Sequence, residues 1–146
     1  TATLLRPPPT QPGDTSLTHS LITLGRGMLA ALLLVAIAAA QASTSNKWRL
    51  QFSGGADSDG VIVLRITPKG GEAITAEIAI KDGTGENNVA KTVVNGLKEQ
   101  LPKEHYHVER DDWEDVLIKK HHGDENFSVE IVSNTVKGER INPDRE

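Results

Sequence analysis

Residues 21–42 read LITLGRGMLAALLLVAIAAAQA, an apolar run in which Arg26 carries the only charge. Wound as a helix it would measure about 33 Å, roughly one bilayer hydrocarbon thickness. A chain carrying such a run must find an apolar medium for it, so residues 18–43 are predicted to form a single transmembrane helix. Arg26, near the N-terminal end, can snorkel toward the headgroups. Ala30, Ala31, Ala36, Ala38 and Ala39 are small enough to let a neighbouring helix approach closely, which predicts helix packing against a membrane partner. Two other readings of the same run stay open. A signal peptide starting at Met28 would place Ala40-Gln41-Ala42 at a small-x-small cleavage pattern before Ser43. A helix buried in a soluble protein is the third.

Residues 1–17 contain Pro7, Pro8, Pro9 and Pro12. Proline fixes φ and lacks a backbone donor, so this stretch is expected as an extended arm, with Pro7, Pro8 and Pro9 as interface candidates. Thr1 is the kind of small residue left when an initiator Met is removed, and the mature chain is expected to begin there. Arg6 and Arg26 on one side of the run nearly balance Lys47 and Arg49 on the other, so the charge rule for orientation is close to a tie. A short arm before a single span usually stays in the cytoplasm, which predicts a periplasmic or extracellular domain.

From Ser43 onward there are 14 Lys and Arg against 19 Asp and Glu, with both signs interspersed. No basic stripe is present to neutralise phosphates, which argues against nucleic acid as a partner. The chain has no cysteine, so thiolate nucleophiles, disulfides and Cys-based metal sites are excluded. Only five aromatic residues are available, Trp48, Phe52, Tyr106, Trp113 and Phe127, so the core must rest mainly on Val, Ile and Leu.

Period-2 alternation puts Trp48, Leu50 and Phe52 on one face, then Ile62, Leu64 and Ile66, then Ile74, Ala76, Ile78 and Ile80. Three opening strands are predicted as a meander, with SGGADSDG and TPKGGEA as turns. The period then changes. Val89, Ala90, Val93, Val94, Leu97 and Leu101 recur at helical spacing, with Thr84 or Asn87 as N-cap, Pro102 as stop, and Gly96 as an interior cost. Three further strands are predicted near 106–109, 116–119 and 127–132. The expected fold is an N-terminal transmembrane helix plus a small α+β domain at 44–134, ordered βββ-α-βββ, with a mixed or antiparallel sheet covered by one helix on a face, and a polar tail at 135–146. Between Leu50 and Val132 the order strand, Gly-rich turn, strand, DGTG, helix resembles small modules repeated in phage tail and adhesin-like proteins, a likeness that implies no function.

Few constellations invite chemistry. His105 and His107 are two residues apart on an expected strand and so share a face, where they could hold a metal with Asp124 or Glu125. Exposed histidines among charges are ordinarily solvated, and no third ligand has fixed spacing. Asp57-x-Asp59-Gly60 opens like a calcium loop, but the twelfth position holds Pro68 instead of Glu, leaving a plain hairpin turn. Gly83-Thr84-Gly85 before a helix could cradle an anion, yet Glu86 puts negative charge there, so turn plus cap is the better reading. His19, at the edge of the apolar run, matches no pigment-binding pattern. ERDDWED, residues 109–115, supplies paired acids around Trp113, which is either a core residue or an exposed interface anchor.

No nucleophile, base and orienter can be assembled from these residues, and no cofactor is implied. The expectation is a non-catalytic, single-span accessory or assembly subunit that docks on larger integral membrane proteins, such as those of a photosynthetic or respiratory energy-transducing complex. The rival is a secreted or periplasmic binding module whose leader is cleaved before Ser43.

Overall fold

The computed structural model describes residues 43–146. The proline-rich arm, the apolar run and the residues assigned to them, including Pro7, Pro8, Pro9, Arg26, Ala30, Ala31, Ala36, Ala38 and Ala39, lie outside the described residues. Among the described residues, no helix is long and apolar enough to cross a membrane.

The described chain is a small, mostly β domain with one helix. Its elements run β1 (Lys47–Ser53), β2 (Gly60–Pro68), β3 (Ile74–Ile80), α1 (Glu86–Gln100), β4 (Tyr106–Asp111), β5 (Asp115–Lys120), β6 (Phe127–Asn134) and β7 (Arg140–Arg145). The strands form two antiparallel sheets, ordered β4-β5-β1-β7 and β3-β2-β6. The expected alternations are the ones that bury: Trp48, Leu50 and Phe52 from β1, Ile62, Leu64 and Ile66 from β2, and Ala76, Ile78 and Ile80 from β3 all face one core. The helix adds Val89, Ala90, Val93, Val94 and Leu97 to that core from a single stripe. Trp48 satisfies its buried indole N–H on the Phe127 carbonyl at 2.8 Å, which ties the first sheet to the second.

Three expectations need correction. β1 and β2 lie in different sheets, so the opening meander is really a crossover followed by the β2–β3 hairpin, and SGGADSDG is no hairpin turn. The single sheet is really two. The polar tail is extended, but as a seventh strand: β7 pairs with β1 from Trp48↔Arg145 to Ser53↔Arg140 and is integral to the domain. Its polar composition fits an edge strand, and Pro143 suits a position where no second neighbour needs the missing N–H.

The helix begins at Gly85, which caps it without any side-chain hydrogen bond; the Thr84 hydroxyl turns back to the Lys81 carbonyl instead. Gly96 has a packing reason. A Cβ there would lie 2.8 Å from Ile78 Cγ1, so glycine is what lets α1 settle onto β3. One turn later the Gln100 side-chain amide accepts from the Glu77 N–H and donates to the Glu77 carbonyl, each at 3.0 Å. This side chain occupies the edge of β3 as a neighbouring strand would.

Candidate functional site

The β4–β5 hairpin is paired up to Asp111↔Asp115, leaving Asp112, Trp113 and Glu114 to reverse the chain. Asp112 and Trp113 both take positive φ, 44° and 66°, and the Glu114 N–H donates to the Asp112 carbonyl at 2.8 Å. Aspartate tolerates this region; tryptophan does so only under strain of about 1–3 kcal/mol. The strained residue is also the most exposed large apolar side chain of the described domain, at 69%. Its ring carries the Arg110 guanidinium 5.3 Å from the centroid, and Arg110 in turn reaches the Asn87 carbonyl at the start of α1 at 3.5 Å. Of the two possibilities left open by the sequence, Trp113 is the exposed one.

What holds the tip in this shape is Arg49. From the outer face of β1 its guanidinium contacts Asp115 at 2.7 Å and Asp111 at 3.0 Å, and it is also paired with Glu146 beyond β7. Carboxylates close on several sides hold the Arg49 guanidinium firmly charged, and Arg49 and Lys47 together hold the Glu146 carboxyl below its ordinary range. One residue therefore clamps both flanks of the hairpin tip and the last strand. Farther along the same face, Lys119 and His107 converge on Glu109 and lower its carboxyl as well.

The two histidines singled out from the sequence are each engaged separately. His105 Nδ1 lies 2.9 Å from Asp124 Oδ1, and His107 Nε2 lies 3.0 Å from Glu109 Oε2. Among the described residues, no group of three or more His, Asp or Glu side chains is placed to hold a metal ion. Asp59 spends one oxygen accepting the Asp82 N–H at 2.8 Å, and Asp57 donates its own N–H to the Lys137 carbonyl, so the DSDG stretch braces neighbouring loops.

Two features carry no signal in the sequence. Glu139, in the connection between β6 and β7, is buried. One oxygen accepts the Ser53 N–H at 3.2 Å while the other has no partner among the described residues. Burial, reinforced by the charge of nearby Glu86, pushes its carboxyl up to about 7. The second feature is a cleft of about 410 Å³ between the end of α1 and the start of β4, lined by Lys98, Lys103, Tyr106, His107, Val108 and His121. Its floor is the buried pair Tyr106 and Val108, and its rim is basic.

No protein-family model matches the chain, and no curated protein matches it.

Proposed function

We propose that this protein is a non-catalytic accessory subunit, tethered through residues 18–43, whose mostly β domain docks onto membrane proteins on the periplasmic or extracellular side. The observation that carries the docking role is Trp113: an indole 69% exposed, held out on a strained turn that a glycine or asparagine would occupy more comfortably. Exposed aromatic anchors of this kind supply much of the binding energy of protein interfaces. The tether contributes by mass action, raising the local concentration of the domain at its target.

The test is mild detergent extraction of the native full chain beside Trp113→Ala, followed by identification of companion proteins. A fixed set of integral membrane proteins that accompanies the native chain in constant proportion and is depleted at least tenfold with Trp113→Ala is the expected result. Equal recovery with both chains would remove Trp113 from the role. The Ala40-Gln41-Ala42 pattern favours the secreted alternative, and intact mass decides it: a native chain that starts at Ser43 is not tethered.

A further inference from the structure

We infer that one partner of the Trp113 tip is a second copy of this chain, whose basic cleft at Lys98, Lys103 and His121 receives the indole. The inference rests on the docking reading of Trp113 and names its partner.

One chain carries both halves of the contact. The donor side is an exposed indole within Glu109, Asp111, Asp112, Glu114 and Asp115, carboxylates that Arg49, Arg110 and, at Glu109, Lys119 offset only in part, leaving the tip acidic at Asp112 and Glu114. A surface of that sign repels anionic lipid headgroups and selects a basic counterpart. The acceptor side is the cleft beside α1, with two lysines and two histidines around an apolar floor. Its volume of about 410 Å³ is ample for an aromatic ring, since a cavity of roughly 150 Å³ holds benzene.

The tip follows the last residue of β4, and the cleft is built around its first three, Tyr106, His107 and Val108. Val108 and Asp111, where the strand gives way to the tip, are three residues apart, about 10 Å along β4. Among the described residues β4 is also an edge strand, paired only with β5. A two-fold axis near the middle of β4 therefore brings each tip onto the other copy's cleft. The contact is isologous: tip meets cleft twice, so it closes as a dimer. It sets acidic Asp112 and Glu114 against Lys103 and Lys98, the sign of charge each lacks.

The experiment uses the full chain in detergent micelles. Because the chain has no cysteine, chains carrying Glu114→Cys can be mixed with chains carrying Lys103→Cys and oxidised. The expected product is the mixed disulfide, in excess of either like-with-like pair. In parallel, sedimentation of the otherwise native chain should show a dimer weakened at least tenfold by Trp113→Ala and by Lys98→Glu with Lys103→Glu. Raising salt through the range that screens exposed charges should weaken it too. Thermal unfolding of each variant confirms that the domain is intact. Like-with-like crosslinks alone, or a dimer that survives both sets of substitutions, overturn the inference, since association then runs through another surface such as residues 18–43. A monomeric chain that nevertheless loses its membrane-protein companions on Trp113→Ala also overturns it, while leaving the docking role standing.

Discussion

Arg49 Nη1 donates to Asp115 Oδ2 at 2.7 Å, and the same guanidinium lies 3.0 Å from Asp111 on the opposite arm of the β4–β5 hairpin. Two carboxylates that face each other across the mouth of a tight turn would repel, and Arg49 converts that repulsion into a clamp. The Arg49 side chain is 18% exposed and that of Asp115 11%, so the pair is only partly screened by solvent. Arg49→Ala leaves both aspartates without a counter-charge and should destabilise the domain by about 2–3 kcal/mol in urea unfolding. Arg49→Lys keeps the charge but not the planar fork and should fall between the two.

Trp113 should be a residue that the fold would do better without. At φ 66° an indole side chain is strained, whereas glycine adopts that backbone freely. Trp113→Gly relieves the turn and forfeits only the exposed Arg110 contact, for a net gain of roughly 0.5 kcal/mol and a rise in Tm of about 2–4 °C. The same substitution should abolish docking. A Tm that falls would mean that the indole stabilises the turn, and the case for a functional residue kept against stability would go with it.

The sequence made the core legible because each buried stripe is written in its own period. Leu50, Ile62 and Ile78 alternate, and Val89, Val93 and Leu97 recur at helical spacing. Which strands become neighbours is a different matter. β1 pairs with β5 and β7, from Gln51↔Asp115 at one extreme to Trp48↔Arg145 at the other, 64 and 97 residues apart, and alternation within β1 says nothing about them. The same gap hid β7, whose polar residues look like a tail until Ile141 is seen packed beside the core. Trp113 stood out by residue type alone, while Arg49 and Glu139 did not, because a lone Arg in a strand and a lone Glu after a glycine are the commonest of surface patterns. His105 and His107 illustrate the converse: alternation puts them on one side of the chain, but neighbouring Asp124 and Glu109 take one each.

Glu139 should make the domain less stable in mild alkali. Its carboxyl titrates at about 7 in the folded chain against 4.5 for an unperturbed glutamate, so the folded state binds this proton more tightly. The associated stability is fully present below pH 4.5 and is lost as pH rises through 7, by about 3 kcal/mol in all. The groups that bear on it are the Ser53 and Arg140 N–H donors and the Arg140 charge, which favour the ionised form, and Glu86, which opposes it. Glu139→Gln should flatten unfolding free energy between pH 5 and 8 and stabilise the domain at pH 8. Glu109 and Glu146 act oppositely, because their lowered carboxyls contribute stability that disappears as pH falls below the ordinary glutamate range. If Glu139→Gln retains the native slope between pH 5 and 8, the buried carboxyl is not its source.

Gly96 offers a test in which helix propensity and packing give opposite signs. On an exposed helix face, glycine to alanine gains about 1 kcal/mol, because alanine loses less backbone freedom and favours the helix. Here the added methyl would meet Ile78 Cγ1 at 2.8 Å, with Cγ2 at 3.4 Å behind it. Both atoms belong to a side chain fixed in the core between β3 and α1, so the clash moves the helix instead of the isoleucine. Gly96→Ala should therefore destabilise by about 1–2 kcal/mol net, read as a lower urea midpoint at unchanged slope. Ile78→Ala alone should also destabilise, by leaving a cavity. Combined with Gly96→Ala it should recover part of the loss, since the new methyl enters the space that the isoleucine vacates, and the two changes should couple by more than 0.5 kcal/mol. Strict additivity would mean that α1 does not rest on β3 through this glycine.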